Sequence, residues 1–524
     1  MSRDIKRVGT RALMIDLDSL EEVMDFYGAL NSSPLERQTD VVAGARTVLV
    51  TFDSTSAAKK AAEFLRTFTP EAAAAKESRE IEIEVCYDGE DLDELAQLLG
   101  KTREELIEWH TSTVWKAGFG GFAPGFTYCV PADESDALDV PRRSSPRTEV
   151  PAGAVALAGD FSAVYPRTSP GGWQLIGTTT TPMWDSTAEP PALVSPGDTV
   201  RYVRVDKLTD EQETSHYELD TPPRMPLFTV DEAGLQTLYQ DLGRQGNGSL
   251  GVTTSGSSDR ASARIANDVV GNKRNATLLE NIGGLSMTAL AEAVVCVTGA
   301  DSDVFVGQKP FPLATPIIVP AGAQLVVYPP RTGMRSYIAV RGGLIADTEL
   351  DSAATDLLSG LGPAPIQAGD TVSVSMKKPG TATDLLSNPL RVTDDVATVR
   401  CVLGPRDDWF NKAEVERFLD TTFTVTGESN RVGVRLETDE PLQRERGGEL
   451  PSEGMVAGSV QVPPSGQPVV FLRDHAVTGG YPVIATVISE DVDIAAQLSP
   501  GSTIRFELYS DCLLYTSPSP RDGL

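Results

Sequence analysis

The sequence predicts a mainly β protein with a small α+β domain at its N-terminus. From about residue 113 onward, short apolar and β-branched runs alternate with turns rich in glycine and proline. This texture is typical of sheet-rich barrels or sandwiches. The first 95 residues instead alternate strand and helix patterns. An internal repeat, described below, indicates that one β module occurs twice.

The length of 524 residues suggests three or four domains. We place the boundaries where the composition and the periodicity change. The predicted parts are an α+β domain at 1–95, a β-barrel at 96–210, a β-rich domain at 222–395, a second β-barrel at 396–510 and a tail at 511–524. The tail has no counterpart in the repeat, so we expect it to be disordered or an artefact.

Strand and helix patterns alternate through the N-terminal domain. ALMIDL and RTVLVTF predict strands, and LEEVMDFYGAL and AAKKAAEFLRTF predict amphipathic helices. EIEIEVCY alternates as a half-buried strand, which we expect in the same domain. Beyond it, LDELAQLLGKTREELIEWH predicts two helices joined at Gly100. Thr102 and Glu105 have the spacing of a capping box that begins the second of them.

Two further helices are predicted in the β-rich remainder of the chain. DRASARIANDVVG has an apolar side and begins at Asp259, where Ser258 or Asp259 serves as the N-cap. NKAEVERFLDTT begins after Asn411, which is a suitable cap.

The internal repeat consists of three matched segments in the same order. The second copy of each lies 304 to 308 residues after the first. Near-constant spacing over three segments indicates the duplication of one β module. The pairs are VPAGAV (150–155) with MVAGSV (455–460), GGWQLIG (171–177) with GGYPVIA (479–485), and SPGDTVRY (195–202) with SPGSTIRF (499–506).

Charge and composition exclude several classes of protein. The net charge of −29 would repel a phosphate backbone, and no basic stripe is present, so we expect no nucleic-acid partner. No apolar run approaches the ~18 residues of a membrane span, so we expect no membrane partner. The N-terminus has no apolar signal core, and the five cysteines are scattered without a CxxC. These features predict a cytoplasmic protein.

Well-known motifs for nucleotides and metals are absent from the sequence. It contains no GxxxxGK[ST] and no HExxH, and GFGGFAPGF lacks the strand and helix that a dinucleotide fingerprint needs. With only three histidines and no cysteine cluster, a zinc enzyme is not expected. The candidate chemistry therefore lies in three polar clusters.

The first cluster follows His110 and continues through GFGGFAPGFTY, PRRSSPRTEVPAG and YPRTSPGGW. Glycines allow a backbone to approach a ligand closely, and Arg142 and Arg147 provide guanidiniums for a carboxylate or a phosphate. Tyr165 and neighbouring aromatic residues have the character of a pocket wall. The alternative is that the turns and aromatic residues build barrel corners, with the arginines on the surface.

The second cluster spans 240–272, where Arg244 and a Gly/Ser loop lead into the helix that begins at Asp259. A helix N-terminus after such a loop is a ready anion site. Asn267 is a polar residue near the far end of that helix. The alternative is an ordinary capped helix after a loop.

The third cluster consists of ESNRVGVRLE, EGMVAGSVQVPPSGQP and HAVTGGYP. Its polar candidates for ligand binding are Arg431, Arg435, Gln461 and Thr478. Neither Ser429 nor Ser465 has an adjacent base, so nucleophilic catalysis is not favoured here.

These stretches resemble a known family, the 5-oxoprolinase components. GFAPGFTY, PRRSSPRTEVPAGAVALAG and YPRTSPGGWQLIG resemble the B component, which is also called allophanate hydrolase subunit 1 or kinase-A inhibitor-like. SGSSDRASARIANDVVGN, ESNRVGVRLE and SEGMVAGSVQVPPSGQP resemble the C component, or allophanate hydrolase subunit 2. The resemblance covers about residues 6 to 510 and extends to the carboxyltransferase part of urea carboxylases. The two partners are fused here.

The resemblance implies tandem cyclophilin-like β-barrels behind the α+β domain. It also implies a hydrolase that opens the 5-oxoproline lactam to glutamate, with ATP and Mg²⁺ and together with a separate partner, the A component of 5-oxoprolinase. On motif position, we assign catalytic roles to His110 and Asp259. The substrate- or ATP-binding roles go to Arg142, Arg147, Tyr165, Arg244, Asn267, Arg431, Arg435, Gln461 and Thr478, and the metal ligands are left unassigned.

Two other functions remain open at this point. One is a carboxyltransferase-like role in urea or allophanate metabolism, although the chain has no segment like a biotinyl-lysine carrier. The other is not enzymatic: an inhibitor of a sensor kinase joined to its antagonist. Binding without turnover would distinguish this last function from the first two.

Overall fold

The computed structural model describes residues 3–70, 78–143, 145, 147–208, 224–375, 380–383, 386–392 and 395–510. The predicted tail, 511–524, lies outside the described residues. Within them, the chain is mainly β, with α+β structure at the N-terminus, and the predicted fold class is confirmed. In the described part of the chain, no helix is long and apolar enough to cross a membrane.

The N-terminal part is an antiparallel sheet covered by two helices, with strands in the order β1-β2-β4-β3. Both predicted helices form. Each begins at a serine, Ser19 or Ser54, whose hydroxyl accepts a backbone N–H of the first turn. The elements are β1 Ile5–Val8, β2 Ala12–Asp16, α1 Leu20–Ser32, β3 Gln38–Ala43, β4 Thr47–Phe52 and α2 Thr55–Leu65.

The next part is the first barrel. Its seven-stranded sheet has the order β12-β9-β10-β7-β6-β13-β5, and a bridge between Cys86 and Thr178 joins its two edges. The predicted capping box of Thr102 and Glu105 is present. The elements are β5 Glu80–Val85, α3 Leu92–Leu98, α4 Arg103–Ser112, β6 Trp115–Gly120, β7 Thr127–Pro131, β8 Arg147–Val150, β9 Ala154–Ala158, β10 Phe161–Val164, β11 Ser169–Gly171, β12 Gln174–Thr178 and β13 Thr199–Arg204.

Strand β5, the EIEIEVCY segment, differs from its predicted place. We expected it in the N-terminal α+β domain, but it pairs in parallel with β13 from Glu80 to Val85. Its inward residues, Ile83 and Val85, join the core of the first barrel. Alternation showed that the segment is a half-buried strand, but local sequence carries no information about which sheet supplies its partner.

The third part packs two sheets over one apolar core. Their strand orders are β20-β19-β22-β17-β14-β25-β24 and β15-β16-β23-β18-β21. The predicted helix lies against the second sheet and is capped by Asp259. The elements are β14 Arg224–Glu232, β15 Gln236–Gln240, α5 Arg260–Val269, β16 Leu278–Ile282, β17 Leu285–Ala289, β18 Ala293–Asp301, β19 Val304–Val306, β20 Lys309–Phe311, β21 Ile317–Val319, β22 Gln324–Val327, β23 Thr332–Val340, β24 Leu344–Ile345 and β25 Thr371–Ser375.

The last part is a closed barrel with the order β26-β33-β30-β31-β28-β27-β34. Its first and last strands pair in parallel, and the predicted helix begins at its cap, Asn411. The elements are β26 Ala397–Leu403, α6 Lys412–Asp420, β27 Phe423–Val425, β28 Gly433–Glu437, β29 Glu453–Gly454, β30 Ser459–Gln461, β31 Val469–Phe471, β32 Thr478–Gly479, β33 Val483–Val487, α7 Val492–Ala495 and β34 Thr503–Leu508.

The two barrels have the same topology, as the sequence repeat predicted. Strand for strand, the order β12-β9-β10-β7-β6-β13-β5 matches β33-β30-β31-β28-β27-β34-β26. Each barrel also carries a two-stranded ribbon outside the main sheet, β8 with β11 and β29 with β32. The repeated SPGDTVRY and SPGSTIRF segments lead into and form the equivalent strands β13 and β34.

Equivalent triads of rings fill the two barrels beneath their helices. In the second barrel, Phe506 stacks on Phe418 with centroids 4.5 Å apart and meets Phe423 edge-on at 5.9 Å. In the first barrel, Tyr202 stacks on His110 at 4.3 Å, and its ring lies edge-on to Trp115 at 6.1 Å. Aromatic rings bury large apolar areas in these geometries, so each triad anchors a helix to a barrel.

Phe506→Ala is expected to lower the free energy of unfolding by about 3–5 kcal/mol, because it leaves a cavity under α6. Phe506 is buried, whereas its neighbour Arg505 is exposed on the same strand. Arg505→Ala is therefore the matched control, and it should change stability by less than about 0.5 kcal/mol. Urea unfolding followed by fluorescence measures both variants. Equal losses in the two would contradict the proposed anchoring role.

Candidate functional site between the two barrels

The two barrels are in direct contact, and a backbone amide of the first barrel donates a hydrogen bond to a side chain of the second. The Phe122 amide donates to Thr478 Oγ1 at 3.2 Å. A Cβ at Gly121 would lie 2.5 Å from the same oxygen, so only glycine fits there. We call this region the barrel interface, which consists of residues 120–128 and 142 of the first barrel and 449–455 and 478–481 of the second.

Charged and phenolic groups cross the barrel interface. Arg142 Nη1 donates to Glu449 Oε2 at 2.5 Å, and both side chains remain partly exposed. Burial raises the pKa of Tyr481, and the adjacent Glu449 carboxylate raises it further. Gln461 Nε2 donates to the Tyr481 carbonyl at 3.1 Å, which orders the GGYP segment. The interface therefore offers a guanidinium, a carboxylate and a phenol to solvent-borne ligands.

Aromatic rings of the first barrel back this polar group. Tyr165 is buried and lies edge-on to Phe126 and Phe122, with centroids 5.3 and 6.0 Å away. Burial raises the pKa of Tyr165, which stays protonated at neutral pH. Phe122 holds a φ of +60°, which is uncommon for a bulky residue and is maintained by its contact with the other barrel.

Four of the predicted ligand-binding residues thus lie at or beside the barrel interface: Arg142, Tyr165, Gln461 and Thr478. They come from two segments that lie about 300 residues apart in sequence. The other predicted residues lie elsewhere, and their positions are described in turn below.

Arg147 lies close to this region but is engaged by acidic side chains. Its guanidinium binds Asp91 at 2.8 and 2.9 Å and Glu90 at 3.1 Å. Burial raises the pKa of Asp91, but Arg147 and the Leu175 amide outweigh burial, and the net shift is downward. Arg147 therefore fastens strand β8 to the start of helix α3, and its predicted ligand-binding role stays a prediction.

His110 lies in the interior of the first barrel. Its Nδ1 is 2.7 Å from the Tyr87 hydroxyl, and its Nε2 is 2.9 Å from Ser162 Oγ. Burial lowers its pKa to about 3, so the ring is neutral. Phe418 occupies the equivalent place in the second barrel. This is the arrangement of a core histidine, and the catalytic role assigned to His110 stays a prediction without geometric support.

Arg431 is the centre of a buried charged network. It binds Asp474 in a bidentate pair at 2.8 Å for both hydrogen bonds, and it also binds Glu280. Its other partners are Ser258 Oγ at 2.7 Å and the Gly256 carbonyl at 2.8 Å. The side chain is 1% exposed. Arg431 therefore joins the closed barrel to the third part of the chain instead of facing a ligand.

Asp259, the second predicted catalytic residue, is the N-cap of α5. Its carboxylate accepts the Ser262 amide at 3.0 Å and hydroxyl at 2.6 Å, and Gln497 Nε2 at 2.9 Å. Burial raises its pKa to about 6, and the Asp493 carboxylate adds to the shift. A carboxyl with this pKa can exchange a proton near neutrality, but it is 3% exposed and its catalytic role stays a prediction.

The remaining predicted residues are separated from the barrel interface. Arg244 is buried and donates to the Ala354 and Glu349 carbonyls, so it holds the 349–362 loop. Burial lowers the pKa of its guanidinium. Asn267 is buried and donates to the Ala276 carbonyl at 2.8 Å. Arg435 is exposed on the outside of β28.

Sequence reasoning missed acidic and basic groups beside the barrel interface. Arg406 binds Glu453 at 2.7 Å and Asp16 at 2.7 Å, and it links the N-terminal sheet to the closed barrel. Burial raises the pKa of Asp16, but Arg406 and Lys6 outweigh it, and the net shift is downward. The only sequence signal for this group of charges is the position of Glu453 within the SEGMVAGSV motif. No motif points to Arg406 or Asp16, because these two residues pair across 390 positions of the sequence.

The described residues contain no group of three or more His, Cys, Asp or Glu side chains that could hold a metal ion. The Mg²⁺ implied by the family resemblance is therefore not matched by a ligand set in this part of the chain.

Comparison with known proteins matches the two halves of the chain, each of which contains one barrel, to different models. The carboxyltransferase domain, subdomains C and D, matches residues 3–194, and subdomains A and B match residues 250–508. A solved structure, that of TTHA0988, covers 95% of this chain and 99% of its own, with 33% identity and a TM-score of 0.83. The Kluyveromyces lactis urea amidolyase structure covers 56% of this chain and 19% of its own, with 27% identity and a TM-score of 0.51.

The chain belongs to the carboxyltransferase-domain family. A 290-residue region, 53% of this chain, is 33% identical to the C component of 5-oxoprolinase from Escherichia coli K12 and spans 90% of that protein. A 130-residue region, 24% of this chain, is 43% identical to the B component of 5-oxoprolinase from Bacillus subtilis 168 and spans 53% of that protein. Regions similar to two separate 5-oxoprolinase components are thus fused in one chain.

His110→Phe is expected to make the protein less sensitive to acid. The unfolded imidazole takes up a proton near pH 6.5, but the folded one does so only near pH 3. Stability is therefore lost as the pH falls below 6.5, by at most about 1.4 kcal/mol per pH unit. In the variant the free energy of unfolding lacks this dependence on pH. At pH 7 the variant is nevertheless less stable by roughly 1–3 kcal/mol, because Tyr87 and Ser162 lose their hydrogen-bond partner. Urea midpoints at about pH 7 and about pH 4.5 test this expectation. Identical pH dependence in both proteins would contradict it.

Arg431→Met is expected to lower the free energy of unfolding by about 3–5 kcal/mol, because Asp474 and Glu280 would remain buried without a cation. Arg435→Met is the matched control on the same segment, where the side chain is exposed. Denaturant unfolding compares the two. A small loss for Arg431→Met would show that the network contributes little to stability.

Proposed function

We propose that this chain is the fused B and C component of an ATP-dependent 5-oxoprolinase, which opens the 5-oxoproline lactam to glutamate together with a separate A component. The observation that supports it best is the barrel interface. There, residues of the half similar to the B component and of the half similar to the C component contact each other, as in Phe122 with Thr478 and Arg142 with Glu449. Fusion keeps these halves in a fixed relation.

The chemistry of 5-oxoproline fits the groups at the barrel interface. The substrate carries one carboxylate and one lactam amide. Arg142 is partly exposed, and a substrate carboxylate can take the place of Glu449 on its guanidinium. Tyr481 is a protonated phenol beside it, which can donate to a lactam oxygen. In this proposal Glu449 occupies Arg142 until the substrate binds, and Gln461 is a positioning residue for Tyr481.

The proposal assigns the ATP and Mg²⁺ chemistry to the assembled enzyme rather than to this chain alone. ATP supplies the driving force for opening an unstrained amide. The residues of this chain bind and orient the lactam. We also propose the cytoplasm as its compartment, which is supported by Cys86, Cys129, Cys296 and Cys401 being free thiols.

A second candidate function is a carboxyltransferase-like role in urea or allophanate metabolism. Lachancea kluyveri urea amidolyase is 29% identical over 305 residues, which cover 53% of this chain and 17% of that protein. Urea has no carboxylate, so a site built for urea would not depend on Arg142, whereas allophanate carries a carboxylate as 5-oxoproline does. Dependence on this arginine therefore separates 5-oxoproline from urea, and the choice of amide in the assay separates it from allophanate.

Arg142→Ala is expected to reduce lactam-dependent phosphate release from ATP by roughly 10- to 100-fold, through the loss of a charge-assisted contact with the substrate. The assay contains the purified chain and a candidate A component, with and without 5-oxoproline. Arg201→Ala is the matched control, because Arg201 has the same 44% side-chain exposure and an ion pair with Glu80.

The outcomes distinguish the candidates. Release that needs 5-oxoproline and falls only in Arg142→Ala supports the proposal. Release stimulated by urea and unaffected by Arg142→Ala, or release stimulated by allophanate but not by 5-oxoproline, favours the second candidate. No release with any amide, together with stoichiometric inhibition of a sensor kinase, would overturn both in favour of a binding protein.

A further inference from the structure

A large cavity lies beside the barrel interface, where three parts of the chain meet, and Met455 belongs to both. It is open to solvent and is lined by strands of the N-terminal sheet, by the 245–264 segment before and within α5, and by the closed barrel. Its volume is about 870 Å³, within the range of small-molecule sites. None of the predicted ligand-binding residues lines it, and it has no role in the function proposed above.

Four arginines from three different parts of the chain lie together in the wall of this cavity: Arg11, Arg260, Arg264 and Arg473. We call them the arginine cluster. Arg473 is paired with Asp493 at 3.1 Å, and Arg11 is paired with Glu490.

The other two arginines have no carboxylate bonded to their guanidiniums. Arg260 donates only to the Leu242 and Ser255 carbonyls, each at 3.2 Å. Arg264 makes no hydrogen bond or ion pair with any residue that the structure describes. The cluster therefore carries more positive than negative charge.

The pKa of Arg260 reflects the excess of positive charge in the arginine cluster. Burial lowers the pKa of its guanidinium, and Arg473, Arg264 and Arg11 lower it further, while the Asp493 carboxylate opposes them. Positive charges held close together repel one another, and a bound anion would offset that repulsion. An anionic group is therefore the chemical complement of this part of the cavity.

The other charged groups of the lining are already engaged. Asp53 is paired with Arg37 at 2.8 Å, and Arg391 is paired with Asp491 at 3.1 Å. Asp40 accepts the Gly248 amide at 3.1 Å. None of these groups neutralises Arg264, which remains available to a ligand.

The rest of the wall combines polar side chains, mostly threonines and serines, with a group of apolar side chains against which the body of a ligand can pack. At the edge of the cavity, the pair of Arg11 and Glu490 is half-exposed, which marks a way in from solvent. The apolar side chains of the wall include Val8, Val42, Leu49, Val252, Leu390 and Val477.

We propose that this cavity binds a small organic anion, with its charged group on Arg264 and Arg260 and its apolar body against the valines and leucines. The head group is a carboxylate or a phosphate, both of which guanidiniums bind. A ligand seated here would touch the N-terminal sheet, the third part and the closed barrel together. It would therefore stabilise their relative arrangement through its differential affinity for the assembled form.

The probe is anilinonaphthalene sulfonate, which joins an apolar ring system to one anionic group and fluoresces when it is buried. We expect saturable binding at one site per chain, weakened about tenfold by Arg264→Gln. Arg274→Gln is the matched control, because Arg274 lies just beyond the same helix, pairs with Asp268 and does not line the cavity. Ser489→Trp, which places a bulky ring in the cavity wall, should also abolish binding.

Competition identifies the head group. Hexanoate and hexyl phosphate share an apolar chain, and the one that displaces the probe at the lower concentration carries the preferred group. Displacement by uncharged hexanol at equal concentrations would overturn the proposal, as would equal probe binding in Arg264→Gln and wild type. The assay contains neither the A component nor ATP, so its outcome does not depend on whether the chain opens a lactam.

Discussion

The buried pairing of Arg431 with Asp474 and Glu280 is the interaction on which the arrangement of the second half depends. A guanidinium that is 1% exposed has lost its hydration, and only fixed partners compensate for that cost. Here the partners come from the closed barrel and from strand β16 of the third part. No single partner accepts all the hydrogen bonds that the Arg431 guanidinium donates. The closed barrel and the third part must therefore take one relative position for all of these bonds to form. Ser258 and Gly256, at the start of α5, complete the set.

The same network sets the geometry of the arginine cluster. Helix α5 begins beside it, and the Arg260 and Ala261 amides donate to Asp493 of the closed barrel at 3.1 Å. Asp493 in turn holds Arg473. The positive groups of the cavity are thus carried on elements that the buried network has already aligned. A site assembled in this way loses little freedom when a ligand binds.

Duplication explains why the two barrels share a topology but not a chemistry. Both place a helix over the parallel strand pair, and both fill the space beneath with three rings. In one barrel the ring under the helix is His110, which needs Tyr87 and Ser162 as partners, and in the other it is Phe418. The contact surface between the barrels then combines different residues of the two copies. Such an interface can bind an asymmetric ligand, which two identical surfaces would not favour.

The sequence by itself determined the mainly β fold, the duplication, the helices with their caps and the family. These properties follow from local periodicity, capping chemistry and long motifs, which need no knowledge of distant contacts. Only the tertiary structure decided that β5 joins β13 and that His110 and Arg431 are buried. It also brought Arg142 to Glu449 and Arg264 to Arg473. Each of these facts depends on a partner remote in sequence, and the physical role of an arginine or a histidine is set by the charges and the burial around it.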